Sequence, residues 1–273
     1  MRDAPITLVI GLMGLSGALS VALERRSLRV DPPLEVLPSD FVALVAGSHK
    51  PLAADLFYIQ GLQFIGRTNP SEGPRALKER EIDYLLNTFR IVSALDPKFL
   101  SPCFMGGIAI TYDAMSSRKA IQFLEEAWRL NPEEWRIPLW IAFNYFHHLH
   151  QARDSLRYFQ LAAERSTAPA FIRELLPMVY YDAGDPETGV AYLEGLQASL
   201  GPSRNQWVER KLSWLRAIAL LERAVRQFTE RFSRMPDRLE ELISKGFLQD
   251  IPQDPFGKGF LLDPDTGRIR SKF

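Results

Sequence analysis

Cysteine occurs once in the 273 residues, so the chain cannot build an intramolecular disulfide framework, a thiolate zinc knuckle or an iron–sulfur cluster. There is no Cys-x-x-Cys-His for covalent haem attachment, no Walker-type phosphate loop, no Gly-x-Ser-x-Gly elbow and no His-Glu-x-x-His zinc helix. An excess of one charge is missing too: 33 basic side chains face 33 acidic ones, and the formal net charge is zero. A non-specific nucleic-acid binder would need the global field that this balance removes. These absences point to a protein that is not an enzyme, with no cofactor, no metal centre, no small-molecule substrate and no nucleic-acid partner. What is present, 46% hydrophobic and 24% charged residues, is the composition of a folded protein of one large or two small domains.

The first feature along the chain is apolar. Residues 4–23 contain no charge and lie between Arg2-Asp3 and Glu24-Arg25-Arg26. As a helix, 20 residues rise about 30 Å, the hydrocarbon thickness of a bilayer. The segment reads as a single transmembrane anchor, residues 1–26 with its flanks. The alternative is a cleaved signal peptide, with Ala18-Leu19-Ser20 or Ser20-Val21-Ala22 as the small-residue site. Arg25, Arg26 and Arg29 outnumber Arg2 on the other flank, and taken alone the positive-inside rule holds the body in the cytoplasm. Residues 27–50 then contain Pro32, Pro33 and Pro38, followed by an apolar run from Phe41 that opens at Ser39-Asp40 and stops at Gly47. This predicts a two-turn helix after an extended spacer that holds the body off the membrane.

Residues 51–202 are periodic. Leu95-Asp96-Pro97 and Leu130-Asn131-Pro132 lie 35 residues apart, each after an amphipathic pattern. Stacked on a period near 34, the chain aligns Leu85, Ala120, Ser155 and Gly189 in one column. Phe89, Leu124, Phe159 and Leu193 form the next, and Val92, Ala127, Ala162 and Leu196 the third. Columns four and then three residues apart form one face of a helix. The small column lets a neighbouring helix come close, and the large one fills the space between helices.

This pattern resembles the tetratricopeptide repeat, a 34-residue helix–turn–helix, over roughly residues 51–200. The second repeat carries it best, with Ala120, Leu124, Ala127 and Pro132, and Phe57, Gly61 and Phe64 fit the first helix of the first repeat. Two departures stand out: an insertion over residues 68–75, and Pro177 inside a predicted helix, which should kink that helix or shift its start. The resemblance implies an α-solenoid whose first helices line a concave groove. Carried over position by position, the groove residues are Asp55, Tyr58, Leu62 and Ile65, then Met105 and Tyr112, then Trp140, Asn144 and His147, then Glu174, Met178 and Tyr181. An aromatic and methionine groove suits an extended peptide or partner helix. The competing reading is that the chain's own C-terminal helix covers some of these side chains. His147, His148 and His150 cluster at a predicted helix end with no Asp, Glu or Cys nearby in sequence to complete a metal site. Cys103 reads as a small buried hydrophobe.

Residues 203–273 follow another pattern. Val208, Leu212, Leu215, Ile218, Leu221, Val225, Phe228 and Phe232 predict one helix of about 30 residues. A short helix over 237–243, a run of turn formers over 251–257 and a hairpin around Gly267 come next. The order, with Met235-Pro236 before Leu239 and Leu242, then Asp254-Pro255-Phe256-Gly257 and a closing hairpin, is similar to the C-terminal half of type II secretion major pseudopilins, a branch of the type IV pilin family. A pseudopilin begins with its own hydrophobic helix, whereas here the matching helix is internal. The similarity therefore implies a pilin-like tail rather than a filament subunit. Asp254, Asp263 and Asp265 have the oxygen ligands that calcium takes, and are read as turn formers. Together these features give a mainly α protein: a tetratricopeptide-like α-solenoid of helix pairs, then a long helix and a small C-terminal β-hairpin module. Its expected role is a scaffold in the bacterial inner membrane, its body periplasmic, binding a protein partner during assembly of a secretion system, pilus or extracellular filament. The alternative is a constitutive structural subunit without a transient client.

Overall fold

The computed structural model describes residues 37–68, 77–108, 110–111, 114–197 and 202–272. It is mainly α-helical, with a small two-stranded antiparallel sheet near the C-terminus, and forms two compact units, Met1–Tyr112 and Asp113–Phe273. No helix among the described residues is long and apolar enough to cross a membrane, and residues 4–23 lie outside them.

In the first unit, α1 (Ser39–Ala46) is the two-turn helix expected after the prolines, and a turn of 3-10 helix at Gly47–His49 leads into α2 (Lys50–Thr68). Next come α3 (Glu79–Leu95) and α4 (Ser101–Ile108). The inner faces of α1 and α2 meet α3 in a cluster of Val42, Ala54, Ile91, Val92 and Leu95, joined by Phe57, Tyr58 and Phe99. Gly61 makes the α2–α3 pairing close: a Cβ there would lie 2.5 Å from Cε1 of Phe89. Only a residue without a side chain fits. Cys103 is buried on α4, as expected of a small hydrophobe.

The second unit contains α5 (Ala114–Leu130), α6 (Arg136–Phe143), α7 (Ala152–Ala163), α8 (Ala170–Asp182) and α9 (Pro186–Gln197). Each of these helices packs on the next. The columns predicted from the repeat period are core positions in both units. Leu85, Phe89, Val92, Ala120, Leu124, Ser155, Ala162 and Leu193 are fully buried, and Ala127 and Phe159 nearly so. Leu196 is the exception and is only half-buried. Pro177 does not displace the start of α8, which runs through it from Ala170 to Asp182.

The long helix α10 (Pro202–Phe232) is 31 residues, about 46 Å at the usual rise. Its predicted apolar stripe is buried except Phe232, which is 40% exposed. Trp214, Ala217 and Ala224 are buried as well, because α10 has contacts on two sides: α9 on one, the C-terminal segments on the other. Gly189 permits the first of these contacts, since a Cβ there would lie 2.8 Å from Cδ2 of Leu215 and 3.1 Å from Cβ of Tyr180. Helix α11 (Leu239–Ser244) and strands β1 (Phe260–Leu262) and β2 (Ile269–Ser271) complete the fold. The strands pair Phe260 with Ser271, Leu261 with Arg270 and Leu262 with Ile269. The side-chain alternation of a strand turns Phe260 and Ile269 into the core and leaves Leu261 and Arg270 outside.

Candidate functional site

The groove residues read from the sequence fall into different environments. Tyr112 lies outside the described residues. In the first unit Asp55 and Leu62 are exposed, and Ile65 and Met105 are half-buried. Tyr58 packs edge-on against Phe99, ring centroids 4.9 Å apart, and lies 6.1 Å from Phe89. It belongs to the core between α2 and α3 at least as much as to a surface.

In the second unit the side chains of α6 form an aromatic row. Trp140 is half-buried beside Phe143 at 5.7 Å, and Phe143 stacks on the exposed His147 at 5.5 Å and 14°. The helix widens into a π turn over Asn144–His148, and His147 lies in that turn, four residues after Phe143. Asn144 is buried, and its Nδ2 donates to the Trp140 carbonyl at 2.9 Å. It supports the row from inside and does not face a ligand. His148 is held below the usual imidazole range by burial and by the neighbouring His147 and His150. Among the described residues no group of three His, Cys, Asp or Glu is placed to hold a metal ion.

The residues from α8 meet the chain's own C-terminal segment. Met178 and Tyr181 pack against the α10 cluster. Tyr181 lies edge-on to Trp214 at 5.0 Å, its hydroxyl donates to the Ile269 carbonyl at 2.8 Å, and the Arg268 guanidinium covers its ring at 5.0 Å. Burial raises the Tyr181 phenol, partly offset by Arg268. Glu174 is half-buried and offsets the effect of burial that lowers the ammonium of Lys211, itself 4.2 Å over the Trp207 ring. At Met178 and Tyr181, then, the covering reading holds: these side chains complete a core and do not line an open groove. The physical reason is that α10 and β2 supply apolar partners that a solenoid end would otherwise lack.

The joint beneath Tyr181 was not foreseen. Glu222, 5% exposed on α10, accepts from Arg268 Nε at 3.0 Å and from the Ile269 amide at 3.2 Å. Arg268 also donates to the Tyr181 carbonyl, and Trp214 Nε1 donates to Ser271 Oγ at 2.7 Å. Nothing in the sequence pairs residues so far apart. A second unforeseen contact, Tyr158 Oη donating to Glu125 at 2.5 Å with Tyr145 stacked on Tyr158 at 5.6 Å, lies one repeat apart and had a signal in the period itself. The density of aromatics between Trp135 and Phe146 was a signal for the α6 row.

Charge is committed internally. Arg216 pairs with Glu194 at 2.6 Å, and Arg223 and Arg226 pair with Glu187 at 3.2 and 2.8 Å. Arg210 sits 4.8 Å over the Phe256 ring. The basic character of the long helix is thus largely used to bind α9 and the following loop. The aspartates of the tail form turns: Asp263 Oδ1 accepts the Asp265 and Thr266 amides at 3.1 and 3.3 Å, and Asp254 accepts the Phe256 amide at 2.9 Å. No protein-family model matches the chain, and no curated protein matches it significantly.

Proposed function

We propose that this chain is a non-enzymatic, membrane-anchored scaffold of the tetratricopeptide kind that holds a protein partner on its repeat surface, in the assembly of a bacterial envelope machine such as a secretion system, pilus or extracellular filament. The observation that carries the reading is the row Trp140, Phe143 and His147, aromatic surface presented by a helix whose inner face is fully packed. Aromatic anchors on a rigid element bind at low cost in conformational entropy, which suits a docking surface. The buried columns at a 34–35-residue spacing support the repeat reading, and the uncharged residues 4–23 support a single bilayer span. The periplasmic side of the body rests on the combined resemblance, an anchor, repeats and a pilin-like tail, against the arginine-rich flank.

The scaffold has a C-terminal module that closes over the last repeat, so any partner engages α6 rather than Tyr181. This covering favours a second reading, a constitutive subunit of a membrane complex that carries no transient client. In vivo photocrosslinking from position 147 tests the choice. A discrete adduct that disappears with Trp140→Ala supports client binding; an adduct to the same partner at every growth stage, insensitive to that change, supports the structural subunit. A C-terminal phosphatase fusion tests the topology, and silence of the fusion on an intact membrane-bound chain would place the body in the cytoplasm.

A further inference from the structure

The first unit leaves an apolar face open at its N-terminal end. Leu44 and Val45 on α1 are 79% and 71% exposed, Leu52 and Leu56 on α2 are 60% each, and Phe41 and Ile59 about half. Helical spacing explains why these six are together. On α1, Phe41, Leu44 and Val45 lie within a 100° arc, turned away from the buried Val42 and the half-buried Ala43 and Ala46, and on α2, Leu52, Leu56 and Ile59 lie within about 60°, opposite Ala54 and Gly61. Both inner faces enter one cluster with α3, so both outer arcs turn away from it. Stacked repeats require a polar outer surface on the terminal element to stay soluble, and contiguous exposed apolar surface marks an interaction site. This end has the opposite character: between Phe41 and Ile59 the only formally charged residues are Lys50 and Asp55.

We infer that the α1–α2 face rests on the lipid bilayer, half-inserted at the level of the headgroups and outer acyl chains. The inference rests on the membrane-anchor reading of residues 4–23. Fifteen residues, 24–38, separate that segment from α1, and fully extended they reach at most about 50 Å. The tether keeps the face at high effective concentration beside the membrane in which the chain is anchored. Arg25, Arg26 and Arg29 lie on that tether, where anionic headgroups attract them, and Lys50 and His49 stand at the break between the two helices. An apolar arc flanked by basic residues next to a span is the pattern of an interfacial helix and distinguishes lipid from a generic protein partner. The proline-containing segment is then a short tether that brings the body down onto the membrane, in place of a spacer that holds it away.

Full-length protein carrying Cys103→Ala, with a single Leu44→Cys or Leu56→Cys labelled by an environment-sensitive nitrobenzoxadiazole probe, tests the inference in vesicles of phosphatidylcholine and phosphatidylglycerol. The expected result is co-flotation with the vesicles, a blue-shifted emission at both positions, quenching by doxyl-labelled lipid and protection from aqueous iodide. A Glu164→Cys probe at the C-terminal end of α7 stays open to iodide. Co-flotation with probes 44 and 56 quenched by iodide and not by doxyl lipid overturns the face proposal and leaves the anchor standing. Shielding from both quenchers means that protein covers the face, a partner or a second copy, and also overturns it. Failure to float at all overturns the anchor and the face together.

Discussion

Arg268 and Glu222, 46 residues apart, meet through a 3.0 Å hydrogen bond from Nε to the carboxylate, and the same oxygen accepts the Ile269 amide at 3.2 Å. Glu222 thereby satisfies the strand that ends the fold while lying inside the core cluster of α10. Removing its carboxylate leaves a buried amide and a largely buried guanidinium without their acceptor. Glu222→Ala is expected to cost about 3 kcal/mol, at the low end for a broken buried pair because Arg268 keeps some solvent contact. Glu222→Gln, which retains an acceptor, is expected to cost less. Urea unfolding midpoints check the order, and equal stability of Glu222→Ala and the parent would contradict the joint.

Two glycines of α9 separate close approach from helix propensity. Gly189→Ala places a Cβ 2.8 Å from Leu215 and 3.3 Å from the Pro177 carbonyl, so it should destabilise by about 1–3 kcal/mol. Gly195 has open space around its Cβ position, and Gly195→Ala should stabilise by about 0.5–1 kcal/mol. Thermal unfolding of both variants is the measurement. Shifts of the same sign would mean that α9 does not sit against α10 as described.

High pH should unfold the second unit through its tyrosines. Burial raises the phenols of Tyr145, Tyr158, Tyr181 and Tyr192 above the ordinary value of 10.0, with the Glu125 hydrogen bond adding to the effect at Tyr158. A raised folded-state value makes a contribution to stability that is whole below pH 10 and is lost as pH rises through the folded values. Phenolate absorbance of these four is therefore expected to lag, and to rise together with loss of helical circular dichroism. Tyr158→Phe should shorten the lag. Titration of these four near pH 10 with the helices intact would refute the burial argument.

The docking surface is tested at Trp140. A half-buried aromatic anchor is worth about 2 kcal/mol or more to an interface, so Trp140→Ala should weaken partner binding about 30-fold or more. The unfolding midpoint of the variant should fall only modestly, because Asn144 keeps its bond to the backbone carbonyl of residue 140. A large loss of stability with unchanged binding would make Trp140 a core residue and shift the interaction elsewhere. Affinity for the crosslinked partner, measured with the purified pair, decides between them.

Much of the fold was legible before any coordinates. A period near 34 placed Leu85, Phe89, Ala120, Leu124 and their counterparts in columns, and all of these but Leu196 are buried, because a repeated helix pair must bury the same face each time. The long helix and the hairpin were legible for the same reason: a 3-4 apolar spacing, and turn formers between two short apolar runs. The site was less legible. Tyr58 and Asn144 met the positional rule for a groove, but what packs over a position depends on neighbours that no local pattern names. Tyr181 shows this most clearly, since the residues that cover it are Trp214, Arg268 and Ile269, between 33 and 88 positions away.

The mainly helical class, the repeated core face and the absence of cofactor motifs were determined by sequence alone, because each depends on spacing within a few turns or on which residue types the chain contains. Tertiary structure alone decided which end of the repeat surface is closed. Glu222 and Arg268 find each other only once α10 has packed into the groove beside α9, and that packing follows from the shape left by Gly189 rather than from any motif. It likewise decided that Leu44, Val45, Leu52 and Leu56 stay exposed, since an apolar residue declares its preference for burial in the sequence, while the partner that would bury it is a property of the folded surface.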